Sequence, residues 1–72
     1  MNNAAKKNDD ASTIQREWYD LKPGDVIRFA TGWYEVFDAY PSGYDAVTVK
    51  LIIDDHIESY RVRTNGKATC QA

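Results

Sequence analysis

Seventy-two residues carry 9 Lys and Arg against 11 Asp and Glu, with one Cys, one His and a hydrophobic fraction of 43%. A chain this short has room for one domain with a marginal core, and not for two domains or an ordinary enzyme fold. A single cysteine makes no internal disulfide, no Cys/His set is present for structural zinc, and the longest apolar run is residues 51–53. With no N-terminal apolar region to read as a signal peptide, a cytoplasmic, monomeric domain without cofactor or metal is expected.

Residues 1–13 are polar apart from three alanines and the initiator Met, and contain no aromatic or branched aliphatic side chain. Such a stretch buries too little apolar surface to offset about 1–2 kcal/mol of backbone ordering per residue. A disordered tail over 1–13 and a β domain over 14–72 are therefore expected. At the junction, Ser12 and Gln15 fit a capping box, with Ile14, Trp18 and Leu21 on one helical face. A helix of two turns is unstable alone, so a short extended segment through residues 18–21 is an equal alternative.

From Lys22 onward the signals are those of a β protein. Pro23-Gly24 suits the centre of a type II turn, because proline presets φ and glycine accepts a positive φ. Strands are expected over residues 25–30, 33–40, 46–54, 57–64 and 67–70. Turns are expected at Thr31-Gly32, over the loop 41–45, at Asp54-Asp55-His56 and at Asn65-Gly66, the last being the strongest two-residue hairpin signal in the chain. It predicts a final strand folded back on its predecessor. The clearest strand is residues 46–54, where Val47, Val49, Leu51 and Ile53 alternate with Thr48, Lys50 and Ile52. In residues 33–40 two faces compete, Trp33, Phe37 and Ala39 against Tyr34, Val36 and Tyr40, a pattern that marks a bulge or a strand covered on both sides. The expected fold is a small antiparallel five-stranded SH3-like barrel or roll.

The net charge of −2 is unevenly spread. Residues 1–23 balance. Residues 24–60 carry Asp25, Glu35, Asp38, Asp45, Asp54, Asp55 and Glu58 against Arg28 and Lys50, and residues 61–72 carry Arg61, Arg63 and Lys67 with no acid. Acidic surface on a compact domain suits a basic protein partner, since complementary charge speeds encounter and a few aromatic anchors supply the energy. Asp54, Asp55 and Glu58 form the densest acidic cluster, and Tyr40 and Tyr44 flank the 41–43 loop; these five are the candidate partner-binding residues. The competing reading for the aspartates is plain turn chemistry. Nucleic-acid binding through Arg61, Arg63 and Lys67 is the alternative, weakened by seven carboxylates on the same domain.

Catalysis fails on inventory. A nucleophile–base pair would have to use His56, in an acidic turn, and Cys70, near the last residue. Three adjacent residues in a turn, Asp54, Asp55 and His56, rarely converge on one ion, and the glycines at 24, 32, 43 and 66 are turn glycines rather than a phosphate loop. The expectation is a chain that is not an enzyme.

The run Trp18-Tyr-Asp-Leu-Lys-Pro-Gly-Asp-Val-Ile-Arg-Phe29 followed by Gly32-Trp-Tyr-Glu-Val36, behind a polar Asn/Lys/Asp arm, resembles small bacteriophage proteins. In size and layout it is similar to the host RNA polymerase-binding regulators of Xanthomonas phages. That resemblance implies a regulator docked on the N-terminal part of the polymerase β′ subunit, inhibiting initiation and suppressing termination. It carries no residue-by-residue binding motif.

Overall fold

The computed structural model describes residues 12–72. The expected tail lies, up to residue 11, outside the described residues. Its last two positions belong to the sheet: the Ala72 N–H donates to the Ser12 carbonyl at 2.6 Å, and Thr13 pairs with Gln71.

Six strands follow in chain order: β1 (Thr13–Glu17), β2 (Val26–Phe29), β3 (Gly32–Gly43), β4 (Ala46–Ile53), β5 (His56–Arg63) and β6 (Lys67–Gln71), with one 3-10 turn at Trp18–Asp20. All pair antiparallel in a single sheet of order β1-β6-β2-β3-β4-β5. The fold is thus all-β as expected, but with six strands rather than five. It is an open sheet with edges at β1 and β5, not a closed barrel. A sheet with one apolar face must bury that face, and this one does so by curling. The rings of Phe29 on β2 and Tyr60 on β5, with two strands between them in the sheet, approach to 4.7 Å between centroids. Ile27, Val36, Val49, Leu51, Ala68 and Cys70 lie fully buried on the concave side with Leu21, and Trp18, Tyr34, Ala39, Ile53 and Val62 pack around them.

The N-terminal segment resolves into a strand at Thr13–Glu17 and a 3-10 turn at Trp18–Asp20, neither the two-turn helix nor the extended segment through residues 18–21. β1 is held by pairing with β6, and Trp18, immediately after it, docks on the core. The Pro23-Gly24 turn forms as expected: the Asp25 N–H donates to the Lys22 carbonyl at 3.0 Å, and Gly24 has φ +97°. In the β2–β3 hairpin Phe29 pairs with Gly32, so the turn residues are Ala30 and Thr31, and Ala30 takes a φ of 54°. β3 runs through the expected 41–45 loop as far as Gly43, with a register shift on the way, leaving Tyr44 and Asp45 as the turn. The competing faces of β3 are reconciled by a bulge between Val36 and Asp38: Tyr34 and Val36 face the core before it, Ala39 after it.

The Asn65-Gly66 hairpin does not form. A tight hairpin of that kind needs positive φ at both central residues, and neither Asn65 nor Gly66 has it. Thr64 is instead pinned to the β3–β4 turn, its N–H donating to the Asp45 carbonyl at 3.0 Å, while the Tyr19 hydroxyl reaches Thr64 Oγ1 at 3.2 Å. The chain leaves β5 from there and lays β6 between β1 and β2. The two-residue turn with positive φ at both positions is Asp54-Asp55, at 52° and 69°, closing the Ile53–His56 pair.

Candidate functional site

The outer face of the β3–β4–β5 meander holds the charged side chains, and its register sets them in rows, because directly paired residues share a face. From one end the rows read Glu35, Ile52 and Ile57; then Asp38, Lys50 and Ser59; then Tyr40, Thr48 and Arg61; then Gly43, Ala46 and Arg63. The Asp54-Asp55 turn closes the first end and the Tyr44-Asp45 turn the other. The eight residues of β4 separate them by about 23 Å at a rise of ~3.3 Å per residue.

At the first end, Asp54 and Asp55 form the turn, and Asp is among the few residues that tolerate positive φ. That turn role accounts for their backbone; their carboxylates are left over. Asp54, Asp55 and Glu35 have no ion-pair or hydrogen-bond partner among the described residues. Asp38 accepts the N–H of its neighbour Ala39 at 2.9 Å. Glu58, grouped with the aspartates by sequence, pairs with Leu51 across the ladder and so lies on the core side of β5, where it meets His56 Nε2 at 2.8 Å. The acidic cluster is therefore split across two faces of one hairpin end.

At the second end, Arg61 and Arg63 share the outer face of β5, as the period of two requires. Arg63 pairs with Asp45 at 3.6 Å. Arg61 lies across Gly43: a Cβ there would collide with its guanidinium. With Asp45, Ala46 and Val62 the two arginines line a shallow cleft of about 290 Å³. Tyr40 sits beside them with Lys50 Nζ 5.8 Å above its ring, and Tyr44 at the turn is fully exposed. Lys67 is separate, on β6, and bridges to Glu17 on β1 at 3.6 Å. The structure thus brings Tyr40 and Tyr44 next to Arg61 and Arg63 rather than next to Asp54 and Asp55, so the five candidate partner-binding residues do not form one site.

Two outer-face residues escaped the sequence reading: Phe37 is 52% exposed and Ile57 42% exposed. The signal for Ile57 was present, since it shares the parity of Arg61 and Arg63. Phe37 was obscured by the bulge beside it.

Among the described residues no three His, Cys, Asp or Glu side chains are grouped to hold a metal ion, and no helix is long and apolar enough to cross a membrane. Cys70 is buried, and burial, with Asp25 nearby, pushes its thiol pKa up; its Sγ contacts the Ala68 carbonyl at 3.9 Å. A thiol so placed stays protonated and is a poor nucleophile. Comparison with protein-family models, with curated proteins and with solved structures finds no match to this chain.

Proposed function

We propose that this chain is a non-catalytic regulator of the bacteriophage type, working in the host bacterial cytoplasm. In this reading it docks on the N-terminal region of the RNA polymerase β′ subunit, inhibits initiation and counters termination. The observation that carries the protein-binding part is the Asp54-Asp55 end of the meander, where carboxylates stand without cationic partners among the described residues. Unpaired surface carboxylates attract a basic protein surface and repel phosphate. The choice of polymerase rests on the resemblance of residues 18–36 and of the overall layout, and an SH3-like relationship belongs to the same proposal, supported by the tight hairpins and the curled sheet.

The deciding experiment is retention of purified bacterial RNA polymerase on the immobilised full chain, run beside a bacterial lysate. Recovery of the β′ subunit is expected. Failure to retain any polymerase subunit removes that partner, and recovery of nucleic acid alone removes the protein-binding class.

One observation favours a second reading. Arg61 has no ion pair among the described residues, and Arg63, Lys50 and Tyr40 lie on the same face, a small basic and aromatic surface of the kind that stacks single-stranded bases. It predicts salt-dependent binding of a fluorescent oligonucleotide that is lost in Arg61→Gln plus Arg63→Gln.

A further inference from the structure

On the outer face at the acidic end, three apolar residues occupy neighbouring positions: Ile52, half-buried, and the exposed Ile57 and Phe37. Ile52 and Ile57 are direct cross-strand partners, and Glu35 completes their row. The bulge places Phe37 beside Asp38 at the adjoining position of β3. Phe37 and Ile57 are both largely exposed, and neither belongs to the core cluster. Single exposed apolar residues are ordinary, but a contiguous group rimmed by polar side chains marks a binding surface. The rim here is predominantly acidic. Glu35, Asp38, Asp54 and Asp55 flank the group, while the two cations of that face, Lys50 opposite Asp38 and Arg28 in the row beyond Glu35, lie over the Tyr40 and Trp33 rings. His56 is engaged with Glu58 on the opposite face.

We infer that Phe37, Ile52 and Ile57 form the centre of a docking surface for a protein segment that presents aliphatic or aromatic side chains flanked by Lys or Arg. The apolar centre supplies the anchor and the carboxylate rim selects its neighbours, the usual division between the core and edge of an interface. The rim decides against other occupants. Nucleic acid and anionic lipid are repelled by the carboxylates. A second copy packed about a two-fold axis would set the same acidic rim against itself. This inference rests on the protein-binding reading and names its contact residues; it does not depend on the partner being polymerase.

The test uses the full chain in two arms. In the first, purified bacterial RNA polymerase is titrated against the chain and against the variants Phe37→Ser plus Ile57→Ser and Ile57→Ser alone. The single variant, remote from the bulge, decides the matter if the double variant is shown by circular dichroism to be misfolded. If the wild-type chain binds, an affinity loss of about 30-fold is expected for the double variant and about fivefold for the single one, the range of central anchor residues. Binding unchanged in both folded variants overturns the inference while leaving the polymerase reading standing.

If polymerase does not bind, the second arm decides. A nine-residue peptide alternating Lys and Leu, and its Glu-Leu counterpart, are titrated into isotope-labelled chain and followed by amide chemical shifts. Shifts centred on Phe37, Ile52 and Ile57 with the Lys peptide alone uphold the surface with polymerase discarded. Shifts at Arg61 and Tyr44 instead, or none at all, overturn it.

Discussion

At one end of the β3–β4–β5 meander the outer side chains are Glu35, Ile52, Ile57 and Phe37; at the other they are Tyr40, Arg61 and Arg63 around the glycine of position 43. Beneath both ends the inward positions are alike, Leu51 and Val36 under the first and Val47 under the second, all buried. The same alternation therefore builds both ends, and the difference between them lies wholly in the outward set. At the arginine end Arg63 is paired with Asp45, and Arg61 lies over Gly43 without an ion pair among the described residues. At the acidic end the carboxylates of Glu35, Asp54 and Asp55 have no cationic partner among the described residues. A net charge of −2 hides this division, and surface charge becomes informative only once the register assigns each residue to a face and an end.

The largest effect that can sharpen the comparison is in the core. Leu51→Ala, in the central cluster under the acidic end, is expected to cost about 3 kcal/mol in urea unfolding. Val47→Ala loses one carbon fewer and lies outside that cluster, and is expected to cost about 2 kcal/mol. Equal costs, or a reversed order, would show that the two ends are not supported by one core centred on Leu51.

A second, smaller effect separates the outward surfaces. Asp54→Asn plus Asp55→Asn removes two charges while keeping a residue type that accepts positive φ. Association with the polymerase should slow about tenfold at low ionic strength, with a flatter salt dependence. Arg61→Gln plus Arg63→Gln should leave that rate unchanged. Stopped-flow measurement of both pairs breaks the comparison if the arginine pair carries the effect.

The smallest expected effect concerns the acidic turn alone. Asp55→Gly gives the Asp-Gly pair best suited to two positive φ values and should stabilise the fold by about 0.5–1 kcal/mol, seen as a raised Tm. A loss of stability would mean that the Asp55 carboxylate does more for the hairpin than its backbone strain takes away.

Much of the meander was legible in the sequence for a physical reason: a half-buried strand must alternate, and residues 47–51 do so without interruption. The type II turn at Pro23-Gly24 was legible because its two residues suit few other conformations. Asn65-Gly66 shows the limit of such signals. A turn pair permits a hairpin without compelling one, and here the hydrogen bonds of Thr64 to Asp45 and Tyr19 redirect the chain before the pair can close. β1 was obscure because Thr13 to Glu17 has one aliphatic residue, so its strand exists by tertiary pairing with β6 rather than by its own pattern. For the site, the shared face of Arg61 and Arg63 followed directly from parity. Glu58 was misplaced because closeness along the chain was taken for closeness in space, although it shares the parity of the inward Tyr60. Phe37 could not be placed until the bulge fixed which side of β3 each half presents.

The insertion of β6 between β1 and β2 also orders events in time. The ladders joining β2 through β5 link neighbours in the chain, whereas β1 pairs, among the described residues, with residues 67–71 alone. Loop-closure entropy favours the short-range ladders first, so during synthesis the meander can form as it emerges, while β1, although made earlier, must wait for the last strand. The docking surface inferred at Phe37, Ile52 and Ile57 belongs wholly to the part that forms early. The C-terminal strand acts as a late latch, joining the first strand to a platform already built.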